Sequence, residues 1–129
     1  MRLSEAIRLG AMSTTQGFGS DSIRNSKSPC ALGAALLAVG RMQESLPPIA
    51  LRNVPYDTIV QLWPYANRRV IAPETTGDTY KLMIVIYLLN DSRRWSREKI
   101  ADWVEQKEIE LGVYQPSLEV LKPVLVTTQ

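Results

Sequence analysis

Leu82-Met83-Ile84-Val85-Ile86-Tyr87-Leu88-Leu89 is apolar without a break. A buried strand and a buried helix both produce such a run, and periodicity alone does not separate them. The β-branched residues Ile84, Val85 and Ile86 favour strand. The length, counted from a capping Asp78 to a stop at Asn90, favours helix. We read helix, and with it a chain that is mainly α.

The flanking sequence supports that reading. On the C-terminal side Ser96 is a good N-cap, and Ile100, Trp103, Val104 and Leu111 fall on one helical stripe with Asp102, Glu105 and Glu108 largely off it. Gly112 ends this last helix. On the N-terminal side, residues 67–72 read as an extended stretch before Pro73, and Pro55 to Trp63 as a short helix stopped by Pro64. Ser28-Pro29 opens another helix, ended by Gly40 and Pro47-Pro48. Its Ala31, Gly33, Ala34, Ala35 and Ala38 leave a thin surface that suits close approach of a second backbone, so it is expected at the centre of the fold. Leu3, Ile7 and Ala11 after Ser4 predict a first helix over 4–12, weakened at its end by Gly10. Residues 13–28 read as a polar loop. The expected fold is a compact bundle of about five helices with an irregular middle and an extended C-terminal tail. The domain division is 1–112 for a single helical domain and 113–129 for a tail or arm.

With 129 residues, 45% hydrophobic and 22% charged, the chain suffices for one ordinary core without disulfides or metals. It contains no histidine and a single cysteine, Cys30. A Ser-His-Asp triad, a Cys-His dyad and an imidazole base are therefore excluded within one subunit, as is an intrachain disulfide. The Cys and His ligands of a structural zinc site are missing too, and no cofactor is implied. Neither Cys30–Val39 nor Leu82–Leu89 approaches the roughly 20 apolar residues of a membrane helix, and no signal-peptide core follows Met1. No membrane association is expected, and the cytoplasm, or an assembled phage particle, is the expected location.

The net charge of +2 says little, but its local distribution says more. Arg93, Arg94, Arg97 and Lys99 crowd the start of the last helix, while Glu105, Glu108 and Glu110 occupy its C-terminal half. A helix dipole prefers the opposite order. An anion held by the free amides, the Ser96 hydroxyl and these cations would resolve the conflict, whether a phosphate or an acidic partner surface. The plainer alternative is a set of solvated charges, with the arginines paired to Asp91 or Glu98. Arg68 and Arg69 form a second basic pair. Ser96 to Val104 also has the flavour of the first helix of a helix-turn-helix, but the acidic residues 105–110 are poor material for a recognition helix.

Weaker candidates remain. Gly17-Phe18-Gly19 lacks the strand, the third glycine and the lysine of a phosphate-binding loop, and reads as a flexible loop. Cys30, expected in the first turn of its helix, could have a lowered thiol pKa there, but buried packing is the preferred reading. Asp57, Glu74, Asp78 and Asp91 show no spacing of a carboxylate pair. Trp63, Trp95 and Trp103 suit core or interface anchoring better than base stacking.

Three segments carry a resemblance: Leu3-Ser4-Glu5-Ala6-Ile7-Arg8-Leu9-Gly10-Ala11-Met12, Cys30-Ala31-Leu32-Gly33-Ala34-Ala35, and Leu89-Asn90-Asp91 with Trp95 to Glu105. Together they resemble a group of small proteins from bacterial and phage genomes. The resemblance implies a phage or mobile-element origin and helices over 78–90 and 97–111; it implies no activity. Similar sequences often carry a Cys-x-x-Cys and histidines in the manner of a small zinc knuckle. Here Arg93 stands about where one such histidine would be and the cysteines are missing, so no metal is expected.

The sequence thus points to a non-enzymatic interaction module that docks on partner protein subunits, or on itself as a homo-oligomer through its tail. The alternative is a nucleic-acid or nucleotide binder using Arg68, Arg69, Arg93, Arg94 and Arg97. Val124-Leu125-Val126, beyond Pro116 and Pro123, is too short to build its own core. Deleting residues 113–129 is therefore expected to leave a folded protein of smaller assembly size. A monomer both with and without these residues, by light scattering, would show that the tail is not an oligomer arm.

Overall fold

The computed structural model describes residues 1–44 and 54–114. Its elements run α1 (Leu3–Ala11), α2 (Ala31–Ala38), α3 (Val54–Leu62), β1 (Arg69–Ile71), β2 (Thr79–Lys81), α4 (Leu82–Asp91) and α5 (Arg97–Glu110), with single 3-10 turns at Ser20–Arg24 and Pro64–Asn67. The fold is mainly helical, as expected. The proposed tail lies outside the described residues beyond Tyr114.

The run from Leu82 is indeed a helix, but it starts later than expected. Asp78 does not cap it. Thr79, Tyr80 and Lys81 instead pair antiparallel with β1, in the register Arg69↔Lys81, Val70↔Tyr80 and Ile71↔Thr79. The Asp78 carbonyl accepts from Ala72 N at 3.1 Å, so Asp78 belongs to the hairpin connection. Asn90 is not a stop either, since α4 continues through Asp91.

Residues Ala31 to Leu36 of α2 are all buried, which puts this helix at the centre. Its cap is Cys30 rather than Ser28, with Sγ accepting from Gly33 N at 3.4 Å. The small residues serve the close crossing foreseen for them, and Gly10 of α1 shares that role. A Cβ on Gly10 would lie 1.9 Å from the carbonyl oxygen of Ala34, so no side chain fits there. Gly10 marks a contact point between α1 and α2, not a weak helix end. One apolar cluster joins residues of all five helices, including Ile7, Leu36, Ile59, Ile86 and Ile100.

α1 and α5 lie antiparallel, joined at three levels. At one end the Glu108 carboxylate, fully buried, accepts from Ser4 N at 3.3 Å and from the hydroxyls of Ser4 and Tyr65. The Tyr65 oxygen in turn accepts from Leu3 N at 3.0 Å. Burial, together with the bond to Glu108, pushes the Tyr65 hydroxyl well above the usual phenol range, which keeps it a donor. In the middle Arg8 reaches Glu105 at 2.7 Å and Asp102 at 2.8 Å. At the far end Arg97 meets the last turn of α1. Removing the carboxylate would leave the Ser4 amide and the Tyr65 hydroxyl without an acceptor. Glu108→Ala is expected to lower the unfolding free energy by about 2 kcal/mol or more; a chemical-denaturation midpoint close to that of the parent would contradict this role.

Candidate functional site

The basic start of α5 is built by the connection from Asn90 to Ser96. Asn90 is buried and uses its full hydrogen-bonding capacity. Its Oδ1 accepts from Gln16 Nε2 at 2.9 Å and from Ala31 N at 3.1 Å, while its Nδ2 donates to the Gly17 carbonyl at 3.0 Å and to Asp91 Oδ1 at 2.8 Å. Asp91 Oδ2 accepts from Gly19 N at 3.0 Å, and Gln16 Nε2 also donates to the Trp95 carbonyl at 2.8 Å. The polar stretch 13–28 is thereby fastened to the C-terminal end of α4 and to the first amide of α2. It also pairs with itself, through Thr15 N to the Lys27 carbonyl at 3.4 Å, and Gly17 N donates to the Pro29 carbonyl at 3.0 Å. Gly17-Phe18-Gly19 is not the flexible loop that the sequence suggests, since hydrogen bonds hold Gly17 and Gly19. It holds the Phe18 ring at the surface, 41% exposed.

The cluster of sequence candidates divides. Arg97 leaves it: this residue is buried, and its guanidinium donates to the Thr14 hydroxyl at 2.8 Å and to the carbonyls of Thr14 at 2.6 Å, Pro29 at 3.2 Å and Ala11 at 3.4 Å. Burial lowers its pKa from the ordinary arginine value, yet a guanidinium stays charged under all working conditions. Arg93 is exposed and pairs with Glu74, not with Asp91 or Glu98. Ser96 caps α5, its Oγ accepting from Lys99 N at 3.1 Å.

Arg94 and Lys99 make no ion pair among the described residues. Each lies over an aromatic ring instead: the Arg94 guanidinium carbon is 4.0 Å from the centre of Phe18, and Lys99 Nζ is 4.1 Å from that of Trp95. Such pairs contribute about 0.5–1 kcal/mol at exposed sites. The backbone of Arg94 is left-handed, with φ 56°. That kink sends Arg93 toward the hairpin and Arg94 toward Phe18.

The shallow hollow at the N-terminal end of α5 is lined by Ala11, Gln16, Ser96, Arg97 and Glu98. Glu98 already brings a carboxylate to it, and the inward turn of Arg97 removes the strongest donor. Arg94 and Lys99, each over its ring, are exposed. Arg68 and Arg69 do not join them. Arg69 donates to the Thr79 carbonyl at 2.6 Å and lines a separate pocket with Lys107, Glu110 and Leu111. That places it near the opposite end of α5, about 20 Å away at ~1.5 Å of rise per residue.

The remaining candidates are accounted for one by one. Burial raises the Cys30 thiol pKa, with hydrogen bonds from Gly33 and Leu32 opposing, so the thiol is not activated. Trp63 is buried and donates its Nε1–H to the Met1 carbonyl at 2.9 Å. Asp57 and Asp78 are exposed on α3 and on the hairpin connection, apart from Glu74 with Arg93 and Asp91 with the loop. Among the described residues no group of three His, Cys, Asp or Glu side chains gathers as a metal site, and no helix is long and apolar enough to cross a membrane.

Two residues central to this arrangement were missed by sequence reading, and both had a signal. Glu108 lies four residues after Val104 and Asn90 four after Ile86, so each continues a buried helical stripe.

Comparison with protein-family models, curated proteins and solved structures finds no match for the chain.

Arg97 and Arg94 are adjacent in the cluster but have opposite roles, which a paired substitution separates. Arg97→Ala is expected to cost about 2 kcal/mol or more, because buried carbonyls lose their donor. Arg94→Ala is expected to change stability by less than about 1 kcal/mol. Equal shifts of the two thermal midpoints would contradict the assignment.

Proposed function

We propose that this chain is a non-enzymatic interaction module that docks on a partner protein through Phe18, Arg94, Trp95 and Lys99, with an acidic surface as the counterpart. The observation that carries this reading is the exposed Phe18 ring, held in place by the Asn90 and Asp91 hydrogen bonds and covered on one face by the Arg94 guanidinium. Aromatic rings and arginine are the groups that dominate binding energy at protein interfaces. A ring fixed before the partner arrives avoids much of the ordering cost of association. Two cations free of ion pairs among the described residues suit a rim of complementary charge better than the many phosphate contacts of a nucleic-acid site.

A phage or mobile-element origin, in the cytoplasm or within an assembled particle, belongs to the same proposal. Its supports are the three segments of resemblance and a lone buried cysteine that suits a reducing interior.

The test uses polyglutamate as the acidic probe and duplex DNA as its competitor. Arg94→Glu combined with Lys99→Glu is expected to weaken polyglutamate binding by about tenfold or more, equivalent to 1.4 kcal/mol. Stability should change little. The lost cation–π contacts are worth about 0.5–1 kcal/mol each, and acidic groups near the start of α5 restore about 0.3–1 kcal/mol each. Polyglutamate binding that is absent or indifferent to the substitutions would overturn the reading. Tight duplex binding that falls steeply with salt would replace it by a nucleic-acid role.

A further inference from the structure

Beside the basic face lies a pocket that the reading above does not use. It opens between the hairpin connection and α4 and has a volume of about 200 Å³. Val85, Leu89 and Ala72 form a buried apolar floor, while Leu88 and Pro73 give half-buried walls. Val85, Leu88 and Leu89 present one face of α4, continued by Ser92 at its C-terminal cap, at spacings of three and four residues.

Its hairpin wall is firmly held. The Thr75 hydroxyl donates to the Ala72 carbonyl at 2.9 Å, and Glu74, with φ 61°, pairs with Arg93 at the rim. Glu74 takes a bond from one Nη of Arg93, and no other acceptor for this guanidinium occurs among the described residues. An apolar floor is thus paired with an accessible cation.

Volume and charge together select the occupant. Sites for drug-sized molecules run from about 300 to 1,000 Å³, whereas a cavity of about 150 Å³ accepts a benzene-sized group. This pocket therefore has the size of one large side chain. The rim cation calls for a carboxylate beside that side chain. We propose that the pocket is a socket for one leucine- or phenylalanine-sized side chain of an acidic segment in the partner protein, with an adjacent carboxylate of that segment taking the open donors of Arg93. The socket rests on the interaction-module reading and gives it an anchor point.

The experiment uses the full, isotope-labelled chain and two capped peptides, Glu-Leu-Glu-Glu and Glu-Ala-Glu-Glu. The leucine peptide is expected to shift the methyl signals of Val85, Leu88 and Leu89. It should bind about tenfold or more tightly than the alanine peptide, since each buried methylene is worth a factor of about four. Ser92→Trp plugs the mouth from an exposed position, and Arg93→Gln removes the cation; each should abolish most of the leucine advantage. Equal binding of the two peptides without methyl shifts would overturn the socket and leave the acidic-partner reading standing. Binding of neither peptide would overturn both. Shifts of the same methyls that depend on protein concentration alone would assign the socket to a second copy of this chain, and would overturn the proposal. Methyl signals left unmoved while duplex DNA or inorganic phosphate shifts Arg94 and Lys99 would overturn it too.

Discussion

The structure depends on an exchange of charge between two antiparallel helices. α5 carries Arg97 at its first position and Glu108 near its end, an order its own dipole opposes. Its neighbour α1 runs the other way and reverses the sign of the problem. Glu108 meets the free amides at the start of α1, and Arg97 meets the carbonyls at its end. Each charge is unfavourable on its own helix and favourable to the one beside it, by as much as ~2 kcal/mol where such groups are partly buried. Both are also too well hydrogen-bonded to be exchanged cheaply. Arg8, between them, fixes the register by reaching Asp102 and Glu105.

This exchange decides which cations remain for a partner. The charge order of α5 looks like the mark of an anion site when the helix is read alone. In the fold Arg97 and Glu108 are consumed internally, and Arg93 is shared with Glu74. Of the cations around the start of α5, Arg94 and Lys99 are left over, each lying over a ring. A similar division holds in the loop before α2, where Asn90 and Asp91 bind backbone groups and thereby present Phe18 outward. Phe18 thus depends on the polar contacts behind it.

The helices were legible where the signal is local. Ser96 and Gly112 bound α5 as its caps foretell, and the small residues of α2 announce a central helix. The hairpin was half legible: Val70 and Ile71 read as extended, but Thr79 to Lys81 were absorbed into a helix because Asp78 resembled a cap. Pairing with β1 overrode that local preference, and pairing between residues eight to twelve apart leaves little trace in a single sequence. Side-chain destinations were least legible. Arg97 and Lys99 differ by two positions, enough to turn one inward and leave the other in solvent. Glu108 and Asn90 were hidden by their polarity, although their spacing placed them on buried faces. The pairing of Arg94 with Phe18 joins residues far apart in the chain and could not be read from either.

Ser4 and Glu108 are 104 residues apart. α1 is completed by α5, and the entropy of closing so long a loop must be met before that contact contributes. On a ribosome, α1 and α2 emerge long before α5 exists to receive them. Until then the amides at the start of α1 are left to water, and the apolar faces that α5 covers lack their cover. The contacts that complete α1 therefore form only after α5 has been made.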